Sequence, residues 1–183
     1  ESNNYSTLVL IGFSMGGSLT LKYLGENGEN LPNEVKKGVA VSVPCSLKDC
    51  SVELEKPSKM YYNKRFFKKL SQKVKLKAEL MPDKLSAEPL KQIKSLRKFD
   101  DYYSAPLHGF KDAEDFYDKA SSMHYIEGIR RPALIINALN DPFLVGRRYP
   151  EKIAQKHDFL HLEMPKQGGH VGFVMRGKIE TYA

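Results

Sequence analysis

Cysteine is scarce in this 183-residue chain, and long apolar runs are missing from it. Two cysteines, Cys45 and Cys50, cannot build a disulfide framework or a zinc site, so reduced thiols in a cytoplasmic protein are the expected state. No apolar stretch reaches the roughly 18 residues that a membrane-spanning helix needs, and no signal peptide is visible. Internal repeats and low-complexity tracts are also lacking, which excludes a repeat array. What remains is a chain with 41% hydrophobic residues, long enough for one globular core plus an insertion.

The most informative segment is Leu8-Val9-Leu10-Ile11-Gly12-Phe13-Ser14-Met15-Gly16-Gly17, an apolar run that breaks at a serine bracketed by glycines. This is the pattern of a nucleophile elbow, in which a buried strand turns sharply into a helix and exposes the serine hydroxyl at the apex. Gly12 and Gly16 are the positions where a side chain is expected to collide as the two backbones cross. Leu19, Leu21, Tyr23 and Leu24 then recur at roughly helical spacing.

A serine hydroxyl is a poor nucleophile at neutral pH, so a base and a group to orient that base must follow. After an apolar strand at 133–138 comes Asn140-Asp141-Pro142. After another at 159–164 comes Gly168-Gly169-His170-Val171-Gly172-Phe173. Ser, Asp, His is the chain order of the α/β-hydrolase triad. The expected roles are Ser14 as nucleophile, His170 as general base and then acid, and Asp141 as the group that holds the imidazole tautomer. The backbone N–H of Met15 would donate one oxyanion hydrogen bond. His157 and His161 flank a strand start, His124 lies in a polar connector, and Asp158 enters its strand at the end away from the carboxyl edge, so none competes well.

The stretch 95–117, SLRKFDDYYSAPLHGFKDAEDFY, together with Gly-Phe-Ser-Met-Gly-Gly, Asn-Asp-Pro-Phe at 140–143 and Gly-Gly-His-Val-Gly-Phe at 168–173, resembles the YheT-like hydrolases, bacterial relatives of the eukaryotic abhydrolase-domain proteins 1 and 3. The resemblance spans nearly the whole chain. It implies a serine esterase acting on carboxylic esters, short-chain or lipid, with the triad at Ser14, Asp141 and His170. His108 and Asp100 fall at family positions for which a structural role in the cap is expected. A complete enzyme of this type has several strands ahead of the elbow. The resemblance therefore implies that the N-terminal strands, with a second oxyanion donor, lie upstream of Glu1, and that a final helix continues past Thr181-Tyr182-Ala183.

Charge is unevenly placed. The chain is net +7, yet from Lys48 to Lys98 fifteen Lys and Arg stand against six Asp and Glu, so the remainder is slightly acidic. In the same segment, 61–80 reads as helical, with Phe66, Phe67 and Leu70 expected to pack inward and Lys64, Arg65, Lys68 and Lys69 to face solvent. It lies between strands near 43 and 133, where α/β hydrolases insert a helical cap. The expected architecture is thus an α/β-hydrolase core with a mostly parallel sheet at 1–46 and 131–183, interrupted by a helical cap and return connector at 47–130.

A solvated face is the plain reading of the basic segment, and attraction to anionic lipid surfaces or acidic substrates is the functional one. Nucleic acid is disfavoured, since no binding motif accompanies the charge. No metal or organic cofactor is expected. An acyltransferase using the same triad and an inactive lipid-binding or scaffold relative are the alternatives.

Overall fold

The computed structural model of the chain describes residues 5–144 and 149–173. The final helix expected beyond Thr181 lies outside them. The described residues form two compact units, one of 1–50 with 120–183 and one of 51–119.

The first unit is built on four parallel strands in the order β1 (Leu8–Phe13), β2 (Val35–Val41), β3 (Ala133–Ile136) and β4 (Leu160–Glu163). Parallel neighbours need a crossover between them. The first is α1 (Met15–Asn27), whose Leu21 and Leu24 are fully buried in one cluster with Ala40, Ile126, Ile129, Ile135 and Leu160. The short α7 (Glu151–Ala154) precedes β4. β1 forms the edge of this sheet and carries exposed Val9, Ile11 and Phe13.

Register carries the fold into function. Phe13 pairs with Val41, Val41 with Ile136, and Ile136 with Glu163, so the four strands end in one row. Each pairing extends one residue further: Ser14 N–H donates to Val41 O at 2.8 Å, Ser42 N–H to Ile136 O at 2.8 Å, and Asn137 N–H to Glu163 O at 3.0 Å. Three polar residues are thereby fixed side by side at the carboxyl edge, where open parallel sheets place their sites.

Two strand boundaries differ from the apolar runs. β2 begins at Val35, three residues ahead of the run at 38–43, because Val35 pairs with Leu8 and Lys37 with Val9 across a register irregularity at Lys36, while both lysine side chains stay in solvent. It stops at Val41 because Ser42 adopts φ 50°, a left-handed conformation that ends a strand. β3 likewise ends at Ile136, before Asn137 and Ala138.

In the second unit the chain runs from α2 (Leu47–Leu54) into the long α3 (Met60–Leu80). The short α4 (Leu96–Phe99), a π-turn at Asp100–Ser104, α5 (Ala105–Leu107) and α6 (Ala113–Ala120) follow. Its core gathers Val74, Ile93, Phe99 and Tyr103, with Phe67 and Leu70 packed against them. Phe66 differs from expectation. It is exposed, because one residue is about 100° around a helix and Phe66 falls outside the stripe that Phe67, Leu70 and Val74 occupy.

Candidate active site

Ser14 sits between β1 and α1 with φ 52° and ψ −120°, the strained conformation that an elbow demands. Gly12 is where crowding is severe: a β-carbon there would lie 2.2 Å from Gly16 O and 2.6 Å from Gly17 N. Gly16 was expected to be crowded as well, but a β-carbon on it meets nothing within 4 Å among the described residues. The physical reason is directional. Gly16 offers its backbone to Gly12, while its own β-carbon position points into open space. The second tight glycine is Gly17, whose β-carbon would stand 3.1 Å from both Gly12 O and Val43 Cβ.

Asp141 and His170, 29 residues apart in the chain, meet beside Ser14. His170 Nε2 lies 3.0 Å from Ser14 Oγ, and His170 Nδ1 lies 2.8 Å from Asp141 Oδ2. A carboxylate can only accept, so the ring proton belongs on Nδ1, and Nε2 is left to accept from the serine hydroxyl. The Asp141 side chain is 0% exposed and that of His170 16%. Asp141 Oδ1 accepts the Phe143 N–H at 2.9 Å, and the Phe143 ring meets the imidazole edge-on with centroids 4.6 Å apart. The acid is thus held from its own loop, and the imidazole is braced on a face that a carboxylate does not cover.

The loops are locked by residues that motif reading passed over. Asn140 Oδ1 accepts from Gly168 N–H at 3.0 Å and Gly169 N–H at 2.8 Å, tying the acid loop to the histidine loop. Ser42 Oγ accepts from Val171 N–H at 2.9 Å, immediately after the histidine. Asn137, fully buried, accepts from Val43 N–H at 2.7 Å and donates from Nδ2 to Val43 O at 3.1 Å, so its amide continues the sheet with a side chain. Tyr149 donates its hydroxyl to Ala138 O at 2.9 Å, and burial, aided by the nearby Asp141 charge, pushes its phenol up. A short polar residue just past the end of a strand was the one available signal for Ser42 and Asn137.

Met15 is the first residue of α1, where backbone N–H groups have no partner within the helix. The thiols lie apart from this chemistry. Cys45 is buried, which pushes its pKa up to about 12 against the lowering hydrogen bond to Ser122, so it stays protonated at neutral pH. His108 and Asp100 belong to the second unit. His108 Nδ1 contacts Ser104 O at 2.8 Å, while Asp100 accepts from Ser104 Oγ at 2.6 Å and Tyr117 Oη at 2.7 Å. His157 contacts Glu127 O through Nε2 and accepts from Phe159 N–H through Nδ1.

Comparison with known proteins bears on the fold and the family. The model of the family described as alpha/beta hydrolase fold matches residues 1–175. Over 166 residues the chain is 33% identical to YheT of Escherichia coli, a proposed esterase, covering 90% of this chain and 48% of that protein. It is 29% identical over 164 residues to mouse phospholipase ABHD3, covering 89% of this chain and 39% of the relative. The chain therefore spans less than half the length of these two relatives. An acylaminoacyl peptidase structure, 17% identical, superposes with a TM-score of 0.50 over 96% of this chain and 21% of its own, a likeness of fold alone.

Proposed function

The chain belongs to the α/β-hydrolase fold family, and from that premise we propose that it is a serine hydrolase that cleaves carboxylic esters through an acyl-serine intermediate. The observation that carries the reading is the unbroken line from Asp141 through His170 to Ser14 Oγ, with each contact at hydrogen-bond distance. Ser14 Oγ attacks the ester carbonyl as Nε2 of His170 takes the hydroxyl proton. The C–O bond to the alcohol then breaks, and the imidazolium returns the proton to the departing oxygen. Water, activated by the same imidazole, adds to the acyl-serine and releases the acid. Asp141 keeps the ring in the reactive tautomer and stabilises the imidazolium throughout. The role assigned to the Met15 N–H, at the start of α1, is to donate one hydrogen bond to the oxyanion that forms at each tetrahedral stage.

The names of the relatives favour acyl esters, lipid esters among them. A lipid ester resides at a membrane surface, so an enzyme of this kind benefits from peripheral contact with an anionic bilayer on the cytoplasmic side through the basic segment. The test uses the full-length polypeptide. A fluorophosphonate probe should label it on Ser14, as located by mass spectrometry, and Ser14→Ala should abolish labelling and lower ester turnover by about 10⁵–10⁶-fold. An adduct on another residue, or labelling that survives the substitution, refutes the assignment.

A further inference from the structure

Helix α3 (Met60–Leu80) is apolar along two stripes. The first runs through Asn63, Phe67, Leu70 and Val74, at spacings of four, three and four, and is the face turned into the core of the second unit. The second is offset by one residue, about 100° around the helix. It carries Tyr62, Phe66, Leu76 and Leu80, with Lys69 and Lys73 between them in the same four-three register. Among the described residues Leu76 and Leu80 are not part of the core cluster of the unit. Leu76 is 61% exposed and Leu80 80%, and beside them Tyr61 is 71% exposed.

The charge on the helix is almost all of one sign. Lys64, Arg65, Lys68, Lys69, Lys73, Lys75 and Lys77 are all exposed, and Glu79 is the only acid in the helix. Among the described residues none of these seven cations is ion-paired, whereas Lys22, Lys56, Lys91, Lys98 and Lys119 each meet a carboxylate. Unneutralised cations flanking exposed leucines and aromatics form a surface complementary to a negatively charged interface with an apolar interior.

We propose that this second stripe of α3 is a docking surface for an anionic lipid bilayer, with the helix lying in the plane of the interface. Leu76, Leu80 and the aromatic residues at 61, 62 and 66 enter the boundary between headgroups and acyl chains, while the lysines stay among the headgroups. A helix of 21 residues lies along about 30 Å of that surface. Among the described residues no helix is long and apolar enough to cross a membrane, and this contact requires none to do so. RNA, the other polyanion, would meet the lysines but would leave Leu76 and Leu80 without a role. The assignment names the partner surface implied by the lipid-ester reading, yet it is tested without catalysis.

The experiment is co-sedimentation of full-length protein carrying Ser14→Ala with phosphatidylcholine vesicles, with and without phosphatidylserine, at low and physiological salt. Binding should require phosphatidylserine and weaken as salt rises. Lys69→Glu with Lys73→Glu should weaken it by more than about tenfold, and Leu76→Ser with Leu80→Ser by about tenfold. Lys36→Glu with Lys152→Glu, the same charge change on exposed lysines of the first unit, should leave it within a few-fold. Far-ultraviolet circular dichroism of each variant separates loss of the surface from loss of the fold. The proposal is overturned if wild-type α3 gives no vesicle binding at low salt, or if the serine pair binds like wild type. It is also overturned if a uridine-rich RNA binds more tightly than the vesicles and shows the same lysine dependence. Vesicle binding by this protein together with no fluorophosphonate labelling of the protein that retains Ser14 would instead overturn the hydrolase reading and leave the docking surface standing.

Discussion

Each of the two compact units holds an aspartate away from open solvent, Asp141 buried and Asp100 half-buried, and the two have opposite partners. In the first unit Asp141 faces an imidazole and a backbone N–H. In the second, the side-chain hydrogen bonds of Asp100 among the described residues are to hydroxyls, those of Ser104 and Tyr117. Tyr117 Oη in turn contacts Ser51 Oγ at 3.0 Å, and burial together with the Asp100 charge pushes its phenol up. The difference shows in what each carboxylate can do. Asp141 is hydrogen-bonded to an imidazole, a group that gains positive charge when it takes a proton, so its charge has a partner that can change. Asp100 has no such partner. Burial raises its pKa more than the two hydroxyls lower it, with Asp101 and Glu55 adding to the rise. The buried acid has a neighbour that can change charge, and the half-buried one is a hydrogen-bonded pin within the π-turn.

That contrast is sharpest under isosteric amide substitution. Asp141→Asn should lower kcat for ester hydrolysis by about 10⁴-fold, because an amide favours the wrong imidazole tautomer. Asp100→Asn should leave kcat within a few-fold. Equal losses at the two positions, measured at saturating substrate on folded protein, would erase the distinction.

A middle-sized effect belongs to Asn137, which serves the first unit without touching the reacting atoms. Asn137→Leu removes the partner of both polar groups of Val43, each of which then lacks a buried hydrogen bond. The expected loss is about 2–4 kcal/mol in the denaturant-unfolding free energy. A change below about 0.5 kcal/mol would show that this part of the sheet edge is not held by the side chain.

The smallest effect concerns pH. Because the folded-state pKa of Asp100 is raised, the native state binds more protons than the unfolded state above the ordinary carboxylate value. The contribution of Asp100 to stability is therefore largest in acid and falls as pH rises through that window. Stability of wild type relative to Asp100→Asn should decline from about pH 4 upward, measured by urea midpoints across pH. A rising difference would mean that the hydroxyls outweigh burial.

The elbow, the acid and the histidine were legible because each announces itself locally: glycines around a serine after an apolar run, an acid after a strand, and a histidine in a glycine-rich loop. Parallel strands and an interrupting helical segment were legible for the same reason, from apolar runs and a change of period. Asn140, Ser42 and Asn137 were not, since their partners lie 28, 129 and 94 residues away, and a polar residue just past a strand end marks Ser42 and Asn137 without naming those partners. Local crowding was only half legible. Gly12 and Gly16 look equivalent in the motif, and the direction of a missing β-carbon is set by the crossing of β1 and α1. Phe66 and Phe67 are likewise one residue type in succession. Helix rotation alone sends one into the core and the other outward.

The sequence by itself determined which residue types the chain brings and in what order, a serine in an elbow pattern, then an acid, then a histidine. The tertiary structure decided whether Asp141, His170 and Ser14 could act as one. That depends on four strands ending in a single row, and the row exists only because backbone hydrogen bonds between distant segments set a common register.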